Sequence, residues 1–316
     1  MGMAVLGMGP VNAALPGPLV SAQWLHEHLA GVTVVDVLAD PAQFTSAPKF
    51  GIRNKAGVTP LVAAGGHIPG ARLVTFSAIR TTQKVDGRKI PAMLPTADQF
   101  QAVMRAAGVD DGHPLVITSR GSDAGDLDMA TRLLWTLKTY GAVNVAVLNG
   151  GTAGWLQAGY EVETRAATKK VGNWTAKPAD RRWLATSADV VKAQTAGSQL
   201  VDARPTAQFL GISKNPVVSE FGHIAGARSF PTDAIVRTEG AASYFMTPAQ
   251  YTKLLPELGI DPKKPAITYC NTGHLASGAW FVLNEVMAVG STRLYDGSML
   301  EWAMEGRPTA PAKLYP

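Results

Sequence analysis

The sequence predicts an α/β protein made of two similar halves, each a mostly parallel sheet with helices on both faces. The first observation is a repeat: residues 34–37 and 200–203 are short apolar segments that each carry an aspartate. Residues 66–72 and 222–228 repeat more closely, as GHIPGAR and GHIAGAR. Between these landmarks, strand patterns alternate with helix patterns in both halves, which is typical of parallel sheets covered by helices.

The repeat extends through two more pairs of segments. Residues 115–120 (LVITSR) correspond to 266–271 (AITYCN), and residues 149–155 (NGGTAGW) correspond to 296–302 (DGSMLEW). The first of these pairs sets a serine opposite Cys270, the only cysteine among the 316 residues. The two halves are therefore interpreted as copies of one unit, of which only the second carries a thiol.

Corresponding helices are predicted in the two halves. Residues 21–30 and 187–196 are expected to form the first helix of each half, each with its first serine as the N-cap. Residues 96–107 and 247–258 form a second equivalent pair, in which Pro248 suits a first helical turn.

A segment without apolar periodicity separates the halves. Residues 166–182 contain three lysines and a proline, which indicates a linker. The predicted divisions are a tail or export-signal remnant at 1–18, a first domain at 19–165, the linker at 166–182, a second domain at 183–309 and a C-terminal tail at 310–316.

The composition is that of an ordinary globular protein, with 46% hydrophobic and 17% charged residues in 33.3 kDa. The formal net charge is +5, but the basic residues are scattered. This argues against nucleic-acid binding and favours small anions as partners. No apolar stretch is long enough to span a membrane, and we expect a monomer.

The N-terminal segment suggests export. Residues 1–18 are apolar and rich in small side chains, and residues 11–13 resemble the pattern before a signal-peptide cleavage site. The positive charge that usually begins such a signal is missing. The expectation is a periplasmic protein with a shortened signal, and the alternative is a frayed tail on a cytoplasmic one.

Cys270 lies where a strand gives way to a helix. Residues 267–269 are interpreted as the end of a buried strand and residues 277–287 as a helix with an apolar inner face. Such a loop directs backbone N–H groups at one point, and Gly273 permits its tight curve. We expect this field to hold an anion and to favour a thiolate nucleophile. The alternative is that Cys270 is simply a small buried hydrophobic residue.

The histidines do not indicate a metal site or a base. The histidines of the two GHI segments, His67 and His223, occur in both copies, so we interpret them as buried rings that hold loops by hydrogen bonds. His26 and His28 are two residues apart and point to different sides of a helix. One cysteine also excludes an internal disulfide and a multi-cysteine metal site. We therefore expect neither a metal nor another cofactor.

Taken together, these motifs resemble the rhodanese family, specifically tandem two-domain sulfurtransferases acting on thiosulfate or 3-mercaptopyruvate. The resemblance covers about residues 19–308 and includes YDGSMLEW at 295–302. It implies a five-stranded parallel sheet in each domain and an active-site loop at the domain interface. It also implies that the first half is non-catalytic, because Ser119 stands at the cysteine position and an acidic loop, 121–126, follows it.

By the same resemblance, Cys270 takes the outer sulfur of a small anionic donor as a persulfide and passes it to cyanide or a thiol. The anionic sulfur would be stabilised by the loop that follows the cysteine. The candidate binding residues in that loop are Asn271, Thr272, Gly273, His274, Leu275 and Ala276.

The loop departs from the family pattern in its charges. Thiosulfate-type members carry cations just after the cysteine, whereas this loop is more like that of the mercaptopyruvate type. It also resembles the loop of an exported bacterial subgroup. The arginine of that subgroup is replaced here by Leu275. The substrate-binding arginine of many members is Gln208 here. Arg204 matches the family and is interpreted as binding substrate or as pairing with a neighbouring carboxylate. His274 and Lys214 remain as candidate cations, so we expect thiosulfate to be held weakly, by backbone dipoles.

Two other functions are considered. A cysteine-dependent phosphatase requires an arginine six residues after the cysteine to neutralise the phosphoryl oxygens, and Ala276 occupies that place. A sulfur carrier would accept a persulfide and pass it on with little small-molecule turnover. The absence of an arginine at Gln208 favours the carrier, and the complete second domain favours an enzyme.

Overall fold

A computed structural model of the protein describes residues 12–55, 57–166 and 170–310. Most of the predicted export signal lies outside these residues, as do positions 311–316. Within the described part of the tail, the backbone N–H of Ala13 donates to the carbonyl of Gly31 at 3.0 Å. Leu15 is partly buried against the first domain.

The first half contains nine strands and four α-helices in its described residues. The strands are β1 (Leu19–Val20), β2 (Thr33–Leu38), β3 (Lys49–Phe50), β4 (Leu61–Ala63), β5 (Arg72–Thr75), β6 (Thr81–Val85), β7 (Arg88–Met93), β8 (Leu115–Thr118) and β9 (Val145–Leu148). The helices are α1 (Ala22–His28), α2 (Ala97–Ala106), α3 (Ala124–Thr139) and α4 (Gly151–Gln157).

The described part of the second half repeats this plan. Its strands are β10 (Leu184–Ala185), β11 (Gln199–Asp202), β12 (Arg228–Ser229), β13 (Val236–Glu239), β14 (Ala242–Phe245), β15 (Ala266–Tyr269) and β16 (Arg293–Tyr295). Its helices are α5 (Ser187–Ala196), α6 (Thr206–Phe209), α7 (Thr232–Ile235), α8 (Pro248–Glu257), α9 (Ala276–Trp280) and α10 (Ser298–Met304), and a π-helix at Phe281–Val286 continues α9.

Each half has one five-stranded sheet in which all pairings are parallel. The first has the order β1-β9-β8-β2-β5 and the second the order β10-β16-β15-β11-β12, so corresponding strands occupy corresponding places. The predicted doubled α/β fold is thereby confirmed. β6–β7 and β13–β14 form equivalent antiparallel hairpins outside the sheets.

Side chains at the helix ends explain where the helices begin. The hydroxyl of Ser21 caps α1, and Thr96 and Thr247 form capping boxes at α2 and α8. The prediction that Ser187 caps α5 was wrong. Thr186 takes that position, because its side chain accepts the third N–H of the helix, and Ser187 is the first helical residue.

The two predicted structural histidines have equivalent contacts. The Nδ1 of His67 lies 2.7 Å from the carbonyl of Phe44, and the Nδ1 of His223 lies 2.8 Å from the carbonyl of Phe209. Each imidazole also stacks on the ring whose carbonyl it contacts, with centroids 3.7 and 3.9 Å apart. Both histidines therefore fasten a loop, as predicted.

The segment between the halves lies along the first domain. The described residues of 166–182 form neither an α-helix nor a strand, and they lead into a 3₁₀ turn at Arg181–Trp183. Trp174 is buried and packs edge-to-face on Phe100, with ring centroids 5.4 Å apart.

Helix α3 belongs to the cores of both domains. It is buried on nearly every side because it packs against the first sheet and also against α9. One cluster of buried side chains accordingly contains Leu133 and Trp135 of the first domain with Trp280 and Phe281 of the second. Lys138 on α3 also forms an ion pair with Glu285 at 2.7 Å. Separating the domains would expose this shared apolar surface to water.

Each hairpin is fastened to the opposite domain. At the end of β13–β14, Phe245 exchanges two hydrogen bonds with the side-chain amide of Asn149, at 2.8 and 3.1 Å. Just after β6–β7, the N–H of Leu94 donates to Asp296 at 2.5 Å. Asn149 and Asp296 are equivalent positions of the repeat, so each domain presents a hairpin to the site region of the other.

Candidate active site

Cys270 follows the carboxyl end of β15 and is only 1% exposed. The loop from Cys270 to α9 curves around its sulfur. The backbone N–H groups of Ala276 and Thr272, and to a smaller extent that of Gly273, lie near that sulfur and lower the pKa of its thiol. These donors come from the beginning and the end of the loop, so the curve of the backbone, and not a side chain, creates the site.

Burial nevertheless raises the pKa of the Cys270 thiol above its usual range. The backbone N–H groups act in the opposite direction, and the nearby Asp202 carboxylate adds to the rise. The expectation that the loop favours a thiolate over a thiol was therefore wrong. The donors can stabilise an anionic sulfur, but their effect does not exceed the cost of removing the sulfur from water.

Ser298 organises the base of the loop and was missed in the sequence. Its hydroxyl oxygen accepts the backbone N–H groups of Cys270 and Gly273, at 3.0 and 3.1 Å, and donates to the carbonyl of Tyr295 at 2.8 Å. Ser298 has a φ of 52°, in the left-handed region, where the first half has Gly151 with a φ of 57°. The replacement of glycine by serine in the copy with the thiol was the available signal.

Gly273 has the conformation and the close packing that the tight curve requires. Its φ is 76°, and a Cβ there would lie 2.5 Å from Oδ1 of Asp296 and 2.6 Å from Nη1 of Arg132. The same Arg132 nitrogen donates to the Gly273 carbonyl at 3.1 Å and to Asp296 at 2.5 Å. The first domain thus holds the active-site loop directly, through an arginine on α3.

The equivalent position in the first half is buried as well. Ser119 is fully buried, and a Cβ on Gly121 would lie 2.2 Å from the carbonyl oxygen of Gly150. The backbone around Ser119 is therefore packed against the start of α4.

Arg204 has a structural role, so its assignment as a binding residue is corrected. Its buried guanidinium donates to both carboxylate oxygens of Asp202, at 2.6–3.0 Å, and to the carbonyl of Gly222 at 2.7 Å. In the first half, Arg120 makes the same kinds of bond to Asp36 and to a glycine carbonyl. The alternative reading of Arg204, pairing with a neighbouring carboxylate, is the one observed.

The proposal that His274 is a cation was also wrong. Burial, followed by the charge of Arg80, lowers the pKa of His274 to about 3. Its Nε2 donates to the carbonyl of Gly125 at 3.0 Å, and its ring lies 4.4 Å from that of Phe76. His274 is therefore a neutral contact between the loop and the first domain.

The other predicted positions divide between the loop and its surroundings. Gln208 lies beside the loop, where its side-chain oxygen accepts the Asn271 amide at 2.9 Å. Thr272 and Leu275 remain partly exposed on the loop. Lys214 is exposed, and its ammonium donates to the carbonyl of Ser219 within its own surface loop. The structure gives Lys214 no contact with the cysteine loop.

Two cations from the first domain stand near the site, and the sequence analysis missed both. Arg132 is fully buried and paired with Asp296. Arg80 lies at the start of the β6–β7 hairpin, close enough to Cys270, Arg132 and Asp296 to interact with each electrostatically. The expectation of a site without cationic side chains is thus corrected. Only a search across both halves could have found them, since the second half alone lacks them.

Other kinds of site receive no support from the described residues. None of their His, Cys, Asp and Glu side chains form a group of three or more that could hold a metal ion. None of the helices in those same ranges combines the length and apolar character needed to cross a membrane.

Comparison with known proteins assigns this chain to a family. The model of the rhodanese-like domain matches residues 21–158 and again 186–305. The 3-mercaptopyruvate sulfurtransferase of Escherichia coli K12 is 29% identical over 299 residues, covering 93% of this chain and 98% of the relative. A putative thiosulfate sulfurtransferase of Mycobacterium tuberculosis is 31% identical over 250 residues, covering 78% of this chain and 82% of the relative.

A solved structure also matches this chain. The crystal structure of SseA from Escherichia coli, a 3-mercaptopyruvate sulfotransferase, matches with a TM-score of 0.70 at 27% identity, covering 89% of this chain and 98% of that one. The family model matches both halves of the chain, and the solved structure has the same fold. The chain's one cysteine lies in the second of the two matched domains. The chain therefore belongs to the rhodanese family, as a sulfurtransferase built from two rhodanese-like domains.

Proposed function

We propose that this enzyme moves a sulfane sulfur from a small anionic donor to a thiophilic acceptor through a persulfide on Cys270. The observation that carries the proposal is a loop whose backbone N–H groups, chiefly those of Ala276 and Thr272, lie around a buried thiol. In the persulfide, the outer sulfur carries the negative charge. Backbone N–H groups that are already fixed around the site would stabilise this charge without the reorientation that water molecules must undergo.

The chemistry with thiosulfate is a substitution at sulfur. The Cys270 thiolate attacks the outer sulfur of the donor and forms a new S–S bond. The original S–S bond breaks, and sulfite leaves with its electron pair. An acceptor such as cyanide or a thiolate then attacks the outer sulfur of the persulfide, which yields thiocyanate or a new persulfide and regenerates Cys270.

The second candidate donor is 3-mercaptopyruvate, the substrate in the name of the Escherichia coli relative. Its C–S bond would break as sulfur moves to Cys270, and the electron pair and thiol proton would remain with the carbon fragment as pyruvate. The uncharged side chains of Asn271 and Thr272 suit a donor with a single carboxylate. The name of the Mycobacterium relative supports thiosulfate instead.

Mass spectrometry tests the proposal directly. The purified protein, incubated with thiosulfate or 3-mercaptopyruvate and freed of excess donor, should gain one sulfur atom at Cys270 and release it to cyanide as thiocyanate. Cys270→Ser should gain none while keeping its fold, because a hydroxyl of similar volume cannot form a persulfide. Sulfur gain or turnover in Cys270→Ser would place the chemistry elsewhere.

A matched variant and two further assays separate the alternatives. Adding Ser119→Cys to Cys270→Ser should not restore transfer, since an acidic loop, 121–126, follows Ser119 and would repel an anionic donor. A persulfide that forms from a protein donor but is not turned over with small molecules would indicate a sulfur carrier. Release of phosphate from an aryl phosphate would indicate the phosphatase, which we expect to be absent because Ala276 replaces its arginine.

We further propose that the protein is exported, on the basis of the apolar segment at residues 1–18. A fusion of this segment to a reporter that is active only outside the cytoplasm should be active. An inactive, soluble fusion product would contradict export.

A further inference from the structure

We propose that Arg80 of the first domain binds the oxyanion end of the sulfur donor, in place of the second-domain arginine whose position is occupied here by Gln208. The inference rests on the persulfide chemistry proposed for Cys270. It makes the non-catalytic domain part of the binding site.

Among the described residues, Arg80 has neither a hydrogen-bond acceptor nor an ion-pair partner. Its Nε–H is buried and donates to no acceptor among the described residues. None of the ion pairs found in residues 12–55, 57–166 and 170–310 includes it. A buried N–H donor without an acceptor costs about 1–3 kcal/mol, and more when it is charged. A bound anion would remove this cost.

The position of Arg80 is set by contacts on both sides. Its guanidinium lies over the ring of Phe76, 4.2 Å from the centroid, and the ring of His274 approaches the same phenyl group at 4.4 Å. Leu94, at the other end of the hairpin, is bonded to Asp296 beside the cysteine loop. The guanidinium is thus held next to the loop, while it remains partly exposed.

The charges around Cys270 leave Arg80 as the group available to an anion. Arg132 is also near, but it is paired with Asp296 at 2.5 Å and is fully buried. His274 is neutral, and Arg204 is occupied by its own carboxylate partner. Among the residues that the structure describes around the loop, Arg80 therefore carries the uncompensated positive charge.

The internal repeat provides a comparison within the chain. Continued from the GHI segments, the repeat sets Val236 opposite Arg80. Val236 begins the hairpin that contacts the loop after Ser119, and it is buried. The arginine is thus found on the hairpin that faces the thiol and a valine on the hairpin that faces the serine, which agrees with a role in donor binding.

The test compares Arg80→Gln with Arg80→Lys, and Arg88→Gln serves as the control because Arg88 is an exposed arginine of the same hairpin. A charge-assisted hydrogen bond of about 1.5–3 kcal/mol corresponds to roughly a 10- to 150-fold change in affinity. We expect Arg80→Gln to raise the thiosulfate KM by that factor with kcat changed less than about threefold, the behaviour of a binding contact. Arg80→Lys should recover part of the loss, and Arg88→Gln should behave as the parent.

Binding without chemistry separates this inference from the proposed function. Calorimetric titration of Cys270→Ser with thiosulfate should show binding that weakens when Arg80→Gln is added. Equal affinity with and without Arg80, or an unchanged KM in Arg80→Gln, would overturn the inference even if the persulfide forms. Conversely, Arg80-dependent binding by a protein that forms no persulfide would contradict the proposed function alone. Melting temperatures of the variants establish that each is folded.

Discussion

Replacing Asp296 with Asn tests whether the first domain stabilises the second through a buried ion pair. Asp296 accepts Nη1 of Arg132 at 2.5 Å and the N–H of Leu94 at 2.5 Å, and both partners belong to the first domain. An asparagine of the same shape has one acceptor oxygen and one NH₂ group. It must therefore lose one of the two bonds, and it leaves the Arg132 charge without a counterion.

The expected loss of stability follows from the burial of both side chains. The Arg132 side chain is fully buried and that of Asp296 is 7% exposed, so solvent cannot replace the lost partner. Breaking a buried pair by removing one charge costs about 3–5 kcal/mol. With an unfolding entropy of about 2.1 cal/mol/K per residue over 316 residues, this lowers the melting temperature by about 5–8 °C.

The assay is a double-mutant cycle of Asp296→Asn, Arg132→Met and their combination, measured by chemical unfolding and calorimetry. In the combined variant no unpaired charge remains, so we expect it to be more stable than the sum of the single changes predicts. A coupling of about 1–3 kcal/mol is expected for groups in direct contact. Turnover should fall in both single variants, because Arg132 also holds the carbonyl of Gly273.

Two results would refute this reasoning. One is an Asp296→Asn protein whose free energy of unfolding is within about 0.5 kcal/mol of the parent, the usual range for a surface substitution. The other is strict additivity in the cycle, which would mean that Arg132 and Asp296 do not stabilise each other in solution.

Three further predictions concern the thiol, the domain interface and Gln208. Because burial raises the pKa of Cys270, the thiolate fraction is small at neutral pH, so alkylation of the donor-free enzyme should accelerate with rising pH beyond about pH 8.5; a plateau below pH 7 would contradict the direction of the shift. The second half expressed from about residue 185 should be insoluble or inactive, because it loses Arg132 and the shared core around α3; full turnover by a folded fragment would exclude this dependence. Gln208→Arg, beside the loop, should lower the thiosulfate KM at constant kcat, and an unchanged KM would show that Arg80 already meets the requirement.

Much of the fold could be predicted because short-range sequence patterns specify it. The repeated strands, the GHI segments and the strand–loop–helix around Cys270 each depend on residues that are close in sequence. Gly273 was recognised for the same reason, since a tight curve requires a left-handed residue at one local position. The cap of α5 was misplaced by one residue because Thr186 and Ser187 have equivalent capping chemistry, and only the backbone conformation distinguishes them.

The sequence by itself determined the doubled α/β architecture, the single thiol and its loop, and the structural use of His67 and His223. Only the tertiary structure decided the charges around the thiol. Arg132 reaches the carbonyl of Gly273 across 141 residues of chain, and Arg80 arrives on a hairpin of the other domain. The pKa of a thiol depends on its burial and on every nearby charge, and neither quantity is encoded in the local periodicity that specifies strands and helices.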